Sequence, residues 1–252
     1  MPKSKTVYTR SEGLSNMDSS YCPGCTHGII HKLVAESLVE LDLLDRTIGI
    51  SSVGCSALNY DFFSCDMQQA PHGRAPAVAT GIKRVRPNSI IFTYQGDGDL
   101  ASIGIAEAIH AAHRSENITI VFVNNAIYGM TGGQMSPTTL LGQKTTTSPD
   151  GRDASQGLPL RIAEMMATIP GATYIERVSV HNPQHVNKAK KALKKAFTIQ
   201  KENKGFTLIE FISTCPVNWG MTPKDAIDWA VDNMIPYYPL GVFKDKTVGE
   251  GK

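Results

Sequence analysis

Long apolar runs are missing from the 252-residue sequence. None reaches the roughly 20 residues that a helix needs to cross a bilayer, so the sequence predicts no membrane-spanning segment and no membrane partner. Lys3, Lys5 and Arg10 near the amino terminus are not followed by an apolar segment, which argues against a secretory signal peptide. We therefore expect a cytoplasmic protein, in a compartment that keeps thiols reduced.

Strong net charge and abundant cysteine are also missing. The formal net charge is +2 at pH 7, so the composition does not favour nucleic acid as the main partner. Cysteine occurs five times, an odd number, which argues against a framework built on disulfides alone. What is present is typical of a globular protein, with 41% hydrophobic and 19% charged residues in a chain long enough for one large α/β domain.

The most informative stretch of the sequence runs from Ser89 to Thr139. A short apolar run over residues 90–94 leads into Gln-Gly-Asp-Gly-Asp-Leu, and a helical pattern of alanines and isoleucines follows. A second apolar run, over residues 118–123, ends in two asparagines and a loop rich in glycine and threonine. This order predicts a right-handed βαβ unit in a mostly parallel sheet with helices on both faces. Asp97 and Asn125 then follow the carboxyl ends of two parallel strands, where α/β sheets bind ligands.

The residue types at these strand ends suit a metal-bound diphosphate. Asp97 offers a carboxylate oxygen, Asn125 an amide oxygen and Ile127 a backbone carbonyl, and Mg²⁺ prefers such oxygen ligands. Gly96 and Gly98 permit a tight turn and close approach of the backbone to phosphate, and the amide end of the following helix favours an anion. The alternative is that the glycines form only a turn and the asparagines only cap a strand.

Four of the cysteines form a candidate metal site. Cys22 and Cys25 are a C-x-x-C pair before a predicted helix, whereas Cys55 and Cys215 each follow a predicted strand. Four thiolates suit either tetrahedral zinc or an iron–sulfur cluster, and their spacing does not separate the two. A redox-active C-x-x-C pair is a third interpretation, although no thioredoxin-like surroundings accompany it. Cys65 is better explained as a buried cysteine without a metal.

Several motifs in the same order give the sequence a family resemblance. Gly96-Asp97-Gly98 followed by Asn124-Asn125 resembles the thiamine diphosphate motif of thiamine enzymes. Tyr21-Cys22-Pro23-Gly24-Cys25, the segment 128–134 and Ser136-Pro137-Thr138 resemble the beta subunit of the 2-oxoacid:ferredoxin oxidoreductases. The resemblance implies the diphosphate-binding half of the thiamine diphosphate-binding fold. We expect this domain over residues 21–234, an amino-terminal arm over 1–20 and a carboxy-terminal tail over 235–252.

The resemblance also implies an activity and a set of partners. The enzyme would decarboxylate a 2-oxoacid oxidatively, using thiamine diphosphate, Mg²⁺ and coenzyme A, and would pass electrons to ferredoxin. An alpha subunit would carry the pyrimidine half of the cofactor site, gamma and ferredoxin-like delta subunits would join the complex, and this chain would be inactive alone. A [4Fe–4S] cluster close to the cofactor would be bound by Cys22, Cys25, Cys55 and Cys215.

Individual site residues are implied in the same way. His72 and Arg74 are expected to reach the cofactor or substrate as catalytic residues, with an ordinary surface pair as the alternative. The Mg²⁺ ligands are expected to be Asp97, Asn125 and Ile127. The residues expected to bind the cofactor are Gly96, Asp97, Gly98, Asp99, Asn125, Ile127, Tyr128, Gly129, Met130 and Thr131.

Two positions bear on the choice of 2-oxoacid. Relatives that take 2-oxoglutarate can carry lysine where this sequence has Leu58 and Gly132. A site without these cations would disfavour a second carboxylate, so we expect 2-oxoisovalerate to be preferred and 2-oxoglutarate to come next. Two other classes remain open, namely a zinc-bound, non-catalytic interaction subunit and a subunit of another thiamine diphosphate-dependent lyase or transferase.

Two further segments have a predicted role. The loop over residues 129–157 is long for a compact domain and is expected to cover a ligand. A later helix carries lysines on one face, which we interpret as a solvated surface, with docking of an acidic ferredoxin as the alternative. These lysines are Lys188, Lys190, Lys191, Lys194 and Lys195.

Overall fold

A seven-stranded sheet forms the centre of the computed structural model, which describes residues 6–248. The strands are β1 Thr47–Ser51, β2 Asp66–Gln69, β3 Ile90–Gly96, β4 Thr119–Asn124, β5 Ala172–Ser179, β6 Phe206–Ile212 and β7 Gly241–Asp245. Their spatial order is β2-β1-β3-β4-β6-β5-β7, and each pair is parallel except β5 with β7. The predicted mostly parallel sheet is confirmed.

Helices connect the strands and cover the sheet. They are α1 His27–Glu40, α2 Ala75–Val85, α3 Ile105–His113, α4 Ile162–Ala167, α5 Pro183–Lys201, α6 Pro216–Trp219, α7 Pro223–Trp229 and α8 Ile235–Tyr237. Wider π-helical turns occupy Gly98–Ile103 and Ala230–Met234. Among residues 6–248, no helix combines the length and apolarity needed to cross a membrane.

Two hydrophobic cores lie on opposite faces of the sheet. Phe92 and Val121 belong to the core beneath α1 and α5, whereas Ile91 and Ile120 belong to the core beneath α2, α3 and α4. Successive side chains of a strand point to opposite faces, so a strand covered on both sides reads as a continuous apolar run. This explains the runs in β3 and β4 and confirms that helices cover both faces.

The structure differs from the sequence expectations at the edges of the sheet. Strand β2 was not predicted, because its polar residues are largely exposed and show no apolar pattern. Strand β7 pairs with β5 inside the region expected to be a tail, and Tyr238 in that region is fully buried. The boundaries of the domain over residues 21–234 remain a prediction. Residues 1–5 of the expected arm, with Lys3 and Lys5, and residues 249–252 of the expected tail lie outside the described residues.

The lysine face of α5 is tied to its neighbours by ion pairs. Lys190 lies 2.8 Å from Glu36 of α1, and Lys194 lies 3.1 Å from Glu40 of the same helix. Lys195 pairs with Asp245 of β7. These partly exposed pairs favour the solvated-surface interpretation over an open basic docking face.

Candidate functional site

The carboxyl ends of β3 and β4 lie side by side and form one edge of a cavity. Gly96 of β3 pairs with Val123 of β4, so Asp97 and Asn125 emerge next to each other. The cavity is lined by all ten residues expected to bind the cofactor, together with His72 and Cys55. The βαβ unit therefore brings together residues that are separate in the sequence.

Asp97 is buried at the base of this cavity and accepts four hydrogen bonds. Its Oδ1 accepts from the Gly98 amide at 2.9 Å. Its Oδ2 accepts from the Ile127 amide, the Ser136 hydroxyl and the Thr138 hydroxyl, each at 2.9 Å. Burial raises the pKa of Asp97 to about 6, although these hydrogen bonds act in the opposite direction.

The oxygen atoms next to Asp97 suit a hard cation. Asn125 Oδ1 lies 3.4 Å from the Ile127 amide, the same group that donates to Asp97, so the two side chains converge. Within residues 6–248, no hydrogen bond uses the Ile127 carbonyl as acceptor. One carboxylate, one amide oxygen and one carbonyl match the ligands from which Mg²⁺ sites are built alongside substrate phosphate and water. The residues present therefore fit Mg²⁺ bound to a diphosphate.

Gly98 is required by the aromatic ring that closes the turn. A Cβ atom at this position would come within 2.9 Å of the Tyr128 ring. Because Tyr128 also lines the cavity, the glycine allows an aromatic side chain to pack on the turn after β3. The turn itself is π-helical over Gly98–Ile103, which the sequence pattern did not predict.

Asp99 lines the cavity and also orients His72. Its Oδ1 lies 2.6 Å from His72 Nδ1 and accepts from the Gly73 amide at 2.7 Å, and its Oδ2 accepts from Gln95 at 2.6 Å. A Cβ atom on Gly73 would come within 2.7 Å of Ile103, so the loop carrying His72 packs tightly on the turn. The imidazole is thereby held at the cavity wall.

Arg74 is not brought to the cavity. It precedes α2, and its guanidinium forms an ion pair with Glu107 of α3 while remaining half exposed. The start of α2 turns this side chain along the helix surface towards α3. In the described part of the chain, Arg74 is therefore placed as a surface ion pair, which was the alternative to a catalytic role.

Cys55 and Cys215 flank Gly129, and Cys22 and Cys25 lie close enough to these two cysteines to influence them electrostatically. A Cβ atom on Gly129 would lie 3.4 Å from the sulfur atoms of both Cys55 and Cys215. Cys22 and Cys25 share a turn closed by a 3.1 Å backbone hydrogen bond, and charges on Cys22, Cys55 and Cys215 act on Cys25. Burial raises the pKa of Cys25 to about 12 and that of Cys55 to about 11, and the neighbouring thiols act in the same direction.

The arrangement of the cysteines bears on the kind of metal. Over residues 6–248, no three histidine, cysteine, aspartate or glutamate side chains are placed to share one metal ion. A tetrahedral zinc ion would need four thiolates around a single point. In a [4Fe–4S] cluster each thiolate binds a different iron, so the sulfur atoms lie farther apart than around a single zinc ion. Cys65 lies elsewhere, against the core beneath α1 and α5.

Some residues of the site were missed from the sequence. Ser136 and Thr138 were noted only as part of a resemblance, yet both bind the carboxylate of Asp97. His27 also lines the cavity, and its Nδ1 lies 2.7 Å from the hydroxyl of Tyr94. These contacts join positions far apart in the chain, so no spacing pattern announces them. The sequence shows the Ser136-Pro137-Thr138 motif and a histidine two positions after Cys25, but neither feature indicates a contact with Asp97 or Tyr94.

Comparison with known proteins agrees with this geometry. The family model described as the thiamine pyrophosphate enzyme, C-terminal TPP binding domain, matches residues 52–211. The ketoisovalerate oxidoreductase subunit VorA of Methanothermobacter marburgensis is 44% identical over 96% of this chain and 51% of its own length. The chain thus spans about half the length of this relative. The 2-oxoglutarate synthase subunit KorB of Methanocaldococcus jannaschii is 37% identical over 90% of this chain and 82% of its own length.

A solved structure is similar over nearly the whole chain. It is the 2-oxoglutarate:ferredoxin oxidoreductase from Magnetococcus marinus with 2-oxoglutarate, coenzyme A and succinyl-CoA bound. The TM-score is 0.78 with 28% sequence identity, and the match covers 95% of this chain and 85% of the other. The common fold includes the sheet whose carboxyl edge carries Asp97 and Asn125.

Proposed function

The chain belongs to the thiamine pyrophosphate enzymes, among the subunits of the 2-oxoacid oxidoreductases, and we propose that it forms the diphosphate-binding half of the active site of a 2-oxoacid:ferredoxin oxidoreductase. The observation that carries this proposal is the buried carboxylate of Asp97, which lies with Asn125 and Ile127 at the base of the cavity. No other carboxylate lies between the two glycines of this turn.

Each group at the cavity has a proposed part in the reaction. Asp97, Asn125 and the Ile127 carbonyl hold Mg²⁺, which binds the diphosphate. Thiamine diphosphate supplies the electron sink for the loss of carbon dioxide from the 2-oxoacid. His72, oriented by Asp99, presents an imidazole that can exchange a hydrogen bond or a proton with a bound molecule.

The second part of the proposal concerns the electrons and the partner subunits. We assign a [4Fe–4S] cluster to Cys22, Cys25, Cys55 and Cys215, next to the cavity through Cys55 and Gly129. Such a cluster would supply a one-electron carrier between the cofactor and ferredoxin, with coenzyme A as the acyl acceptor. An alpha subunit provides the pyrimidine half of the cofactor site, and gamma and delta subunits complete the complex.

For the substrate we propose a branched 2-oxoacid, 2-oxoisovalerate, ahead of 2-oxoglutarate. Leu58 and Gly132 provide no cation for a second carboxylate, and the relative with 44% identity is named for ketoisovalerate. Neither residue lines the cavity in the described part of the chain. A branched aliphatic group requires no charged partner and gains from burial.

The test uses the assembled complex with a panel of 2-oxoacids, coenzyme A and viologen as electron acceptor. We expect a higher kcat/KM for 2-oxoisovalerate than for 2-oxoglutarate, and equal or reversed values would contradict the substrate proposal. Leu58→Lys should shift the preference towards the dicarboxylate, with Leu58→Met as the uncharged control. Gly132 is the poorer position for such a test because its φ of +105° strains any side chain.

Metal analysis of the same complex separates the remaining alternative. A brown, anaerobically purified protein that contains iron and sulfide supports the oxidoreductase. A colourless protein that contains zinc and no thiamine diphosphate would replace the proposal with a zinc-bound interaction subunit.

A further inference from the structure

Two buried hydroxyl groups bind the carboxylate oxygen of Asp97 that faces away from the Gly98 amide. Ser136 and Thr138 are 1% and 0% exposed, and each donates to Asp97 Oδ2 at 2.9 Å. The Ile127 amide is the third donor to the same oxygen. Oδ1 accepts from the Gly98 amide alone among the described residues, so it retains a lone pair for another partner.

The turn that carries these hydroxyls is fixed from behind. The Nη1 atom of Arg152 donates to three carbonyl oxygens of residues 136–139, at distances from 2.6 to 3.2 Å. Tyr238, far along the chain, donates its hydroxyl to the Thr138 carbonyl at 2.6 Å. Thr139 in the same turn donates to the Ala126 carbonyl at 2.7 Å, next to the end of β4. The backbone that carries the hydroxyls of Ser136 and Thr138 therefore cannot move away from Asp97 without breaking several other bonds.

A carboxylate at the base of a cavity can rotate, or can take up a proton, unless other groups hold it. Three donors on one oxygen fix the torsion of the carboxylate group and favour its charged form. A cation then meets an oxygen that is already oriented, and the reorganisation that would weaken binding is avoided. At Asp97 the protein holds Oδ2 with three hydrogen bonds, and Oδ1, which accepts only from the Gly98 amide among the described residues, is the oxygen available to the cation.

We propose that Ser136 and Thr138 are positioning residues that hold Asp97 in the orientation in which it binds the divalent cation. The inference rests on the proposed function, because it assumes that Asp97 is a cation ligand. It assigns to residues 136–139 a task that differs from covering a ligand: the turn acts through Asp97 and does not itself contact the diphosphate.

The test measures cation affinity rather than activity. The assembled complex is titrated with Mg²⁺ by calorimetry in the presence of thiamine diphosphate, and Mn²⁺ binding is followed by electron paramagnetic resonance. Thr138→Val keeps the shape but removes the hydroxyl, and Ser136→Ala removes the other hydroxyl. We expect each variant to bind the cation about tenfold more weakly, the loss typical of one hydrogen bond to a charged group.

Two control variants separate positioning from general damage to the turn. Thr138→Ser keeps the hydroxyl and should restore affinity to within about twofold of the wild type. Thr145→Val removes a buried hydroxyl from the same loop, but that hydroxyl contacts Ser148 at 2.6 Å and not Asp97. Its cation affinity should remain that of the wild type.

The outcomes distinguish this inference from the proposed function. Wild-type affinity in both Thr138→Val and Ser136→Ala overturns the positioning role, while loss of binding in Asp97→Ala leaves the cation site in place. Wild-type affinity in Asp97→Ala overturns the proposed function itself. Should Thr138→Val fail to fold, Ser136→Ala, which lacks a single oxygen atom, decides by the same titration.

Discussion

Asp97 and Cys55 lie on the same cavity, but the protein stabilises their charged forms to different extents. The carboxylate of Asp97 accepts four hydrogen bonds at 2.9 Å, two from backbone amides and two from hydroxyls. For Cys55 the main influences are burial and the neighbouring thiols Cys215 and Cys22, and all of them raise its pKa. The protein thus orients the Asp97 carboxylate with hydrogen bonds, whereas burial and neighbouring thiols disfavour the thiolate form of Cys55.

This difference indicates which part of the site needs a bound metal for its stability. We call Asp97, Asn125 and Ile127 the cation pocket, and Cys22, Cys25, Cys55 and Cys215 the cysteine rim. Hydrogen bonds from the protein itself orient the cation pocket, so removal of the bound cation should leave the fold intact. Thiolates at the cysteine rim need positive charge from a metal, so metal binding there should contribute to stability.

The largest expected effect is the loss of the cluster when the cysteine rim is broken. Cys25→Ser and Cys55→Ser should abolish bound iron and the electron paramagnetic resonance signal of the reduced protein, because serine is a poor ligand for this cluster. Cys65→Ser is the matched control, since Cys65 packs against the core beneath α1 and α5 and does not belong to the rim. Cys215→Ser should also remove the cluster. If Cys65→Ser removes the cluster and Cys215→Ser spares it, the assignment of Cys215 as the fourth ligand is wrong.

A smaller effect should follow from filling the space at Gly129. The backbone φ of this residue is not left-handed, so alanine is tolerated by the backbone, and its methyl group would lie 3.4 Å from the sulfurs of Cys55 and Cys215. We expect Gly129→Ala to weaken retention of the cluster by about tenfold, a typical cost of overpacking. Gly81→Ala in α2 is the control, because a Cβ atom there meets nothing within 4 Å. Unchanged iron content in Gly129→Ala would separate Gly129 from the cluster.

The smallest expected effect concerns the stability of the protein after metal is removed with a chelator. The pKa of Asp97 is raised from 3.8 to about 6, so the folded state binds the proton more tightly than the unfolded state. The resulting stability is present below pH 4 and is lost as the pH rises to about 6, with a change of about 3 kcal/mol. Chemical unfolding of the wild type and Asp97→Asn across this range measures it. A parallel pH dependence in the two proteins would exclude the shift.

Local patterns were enough to predict the centre of the fold. The apolar runs of β3 and β4 and the glycine turn between them are features of neighbouring residues, and parallel topology then places Asp97 beside Asn125. The cysteine rim could be expected only from the order of its motifs and a family resemblance. Cys55 and Cys215 flank Gly129 although they lie far apart in the chain.

The features that were missed depend on distant contacts. Strand β2 is polar and exposed, and β7 acquires its role only by pairing with β5. Neither the hydroxyl of Thr138 nor that of Ser136 carries a sequence signal for binding Asp97. Sequence gives no direction for a long side chain, and in the structure Arg74 pairs with Glu107 of α3. Sequence therefore located the strand ends that carry Asp97 and Asn125, whereas the structure revealed the groups that orient the Asp97 side chain.

The central claim is that the Asp97 carboxylate holds the cation that binds the cofactor diphosphate. Calorimetric titration of the assembled complex with thiamine diphosphate and Mg²⁺ tests it most directly, comparing the wild type with Asp97→Ala. Glu107→Gln is the control, because that carboxylate pairs with Arg74 and does not line the cavity in the described part of the chain. We predict that Asp97→Ala abolishes binding with little loss of fold and that Glu107→Gln retains it. Wild-type cofactor affinity in a folded Asp97→Ala complex would contradict the account.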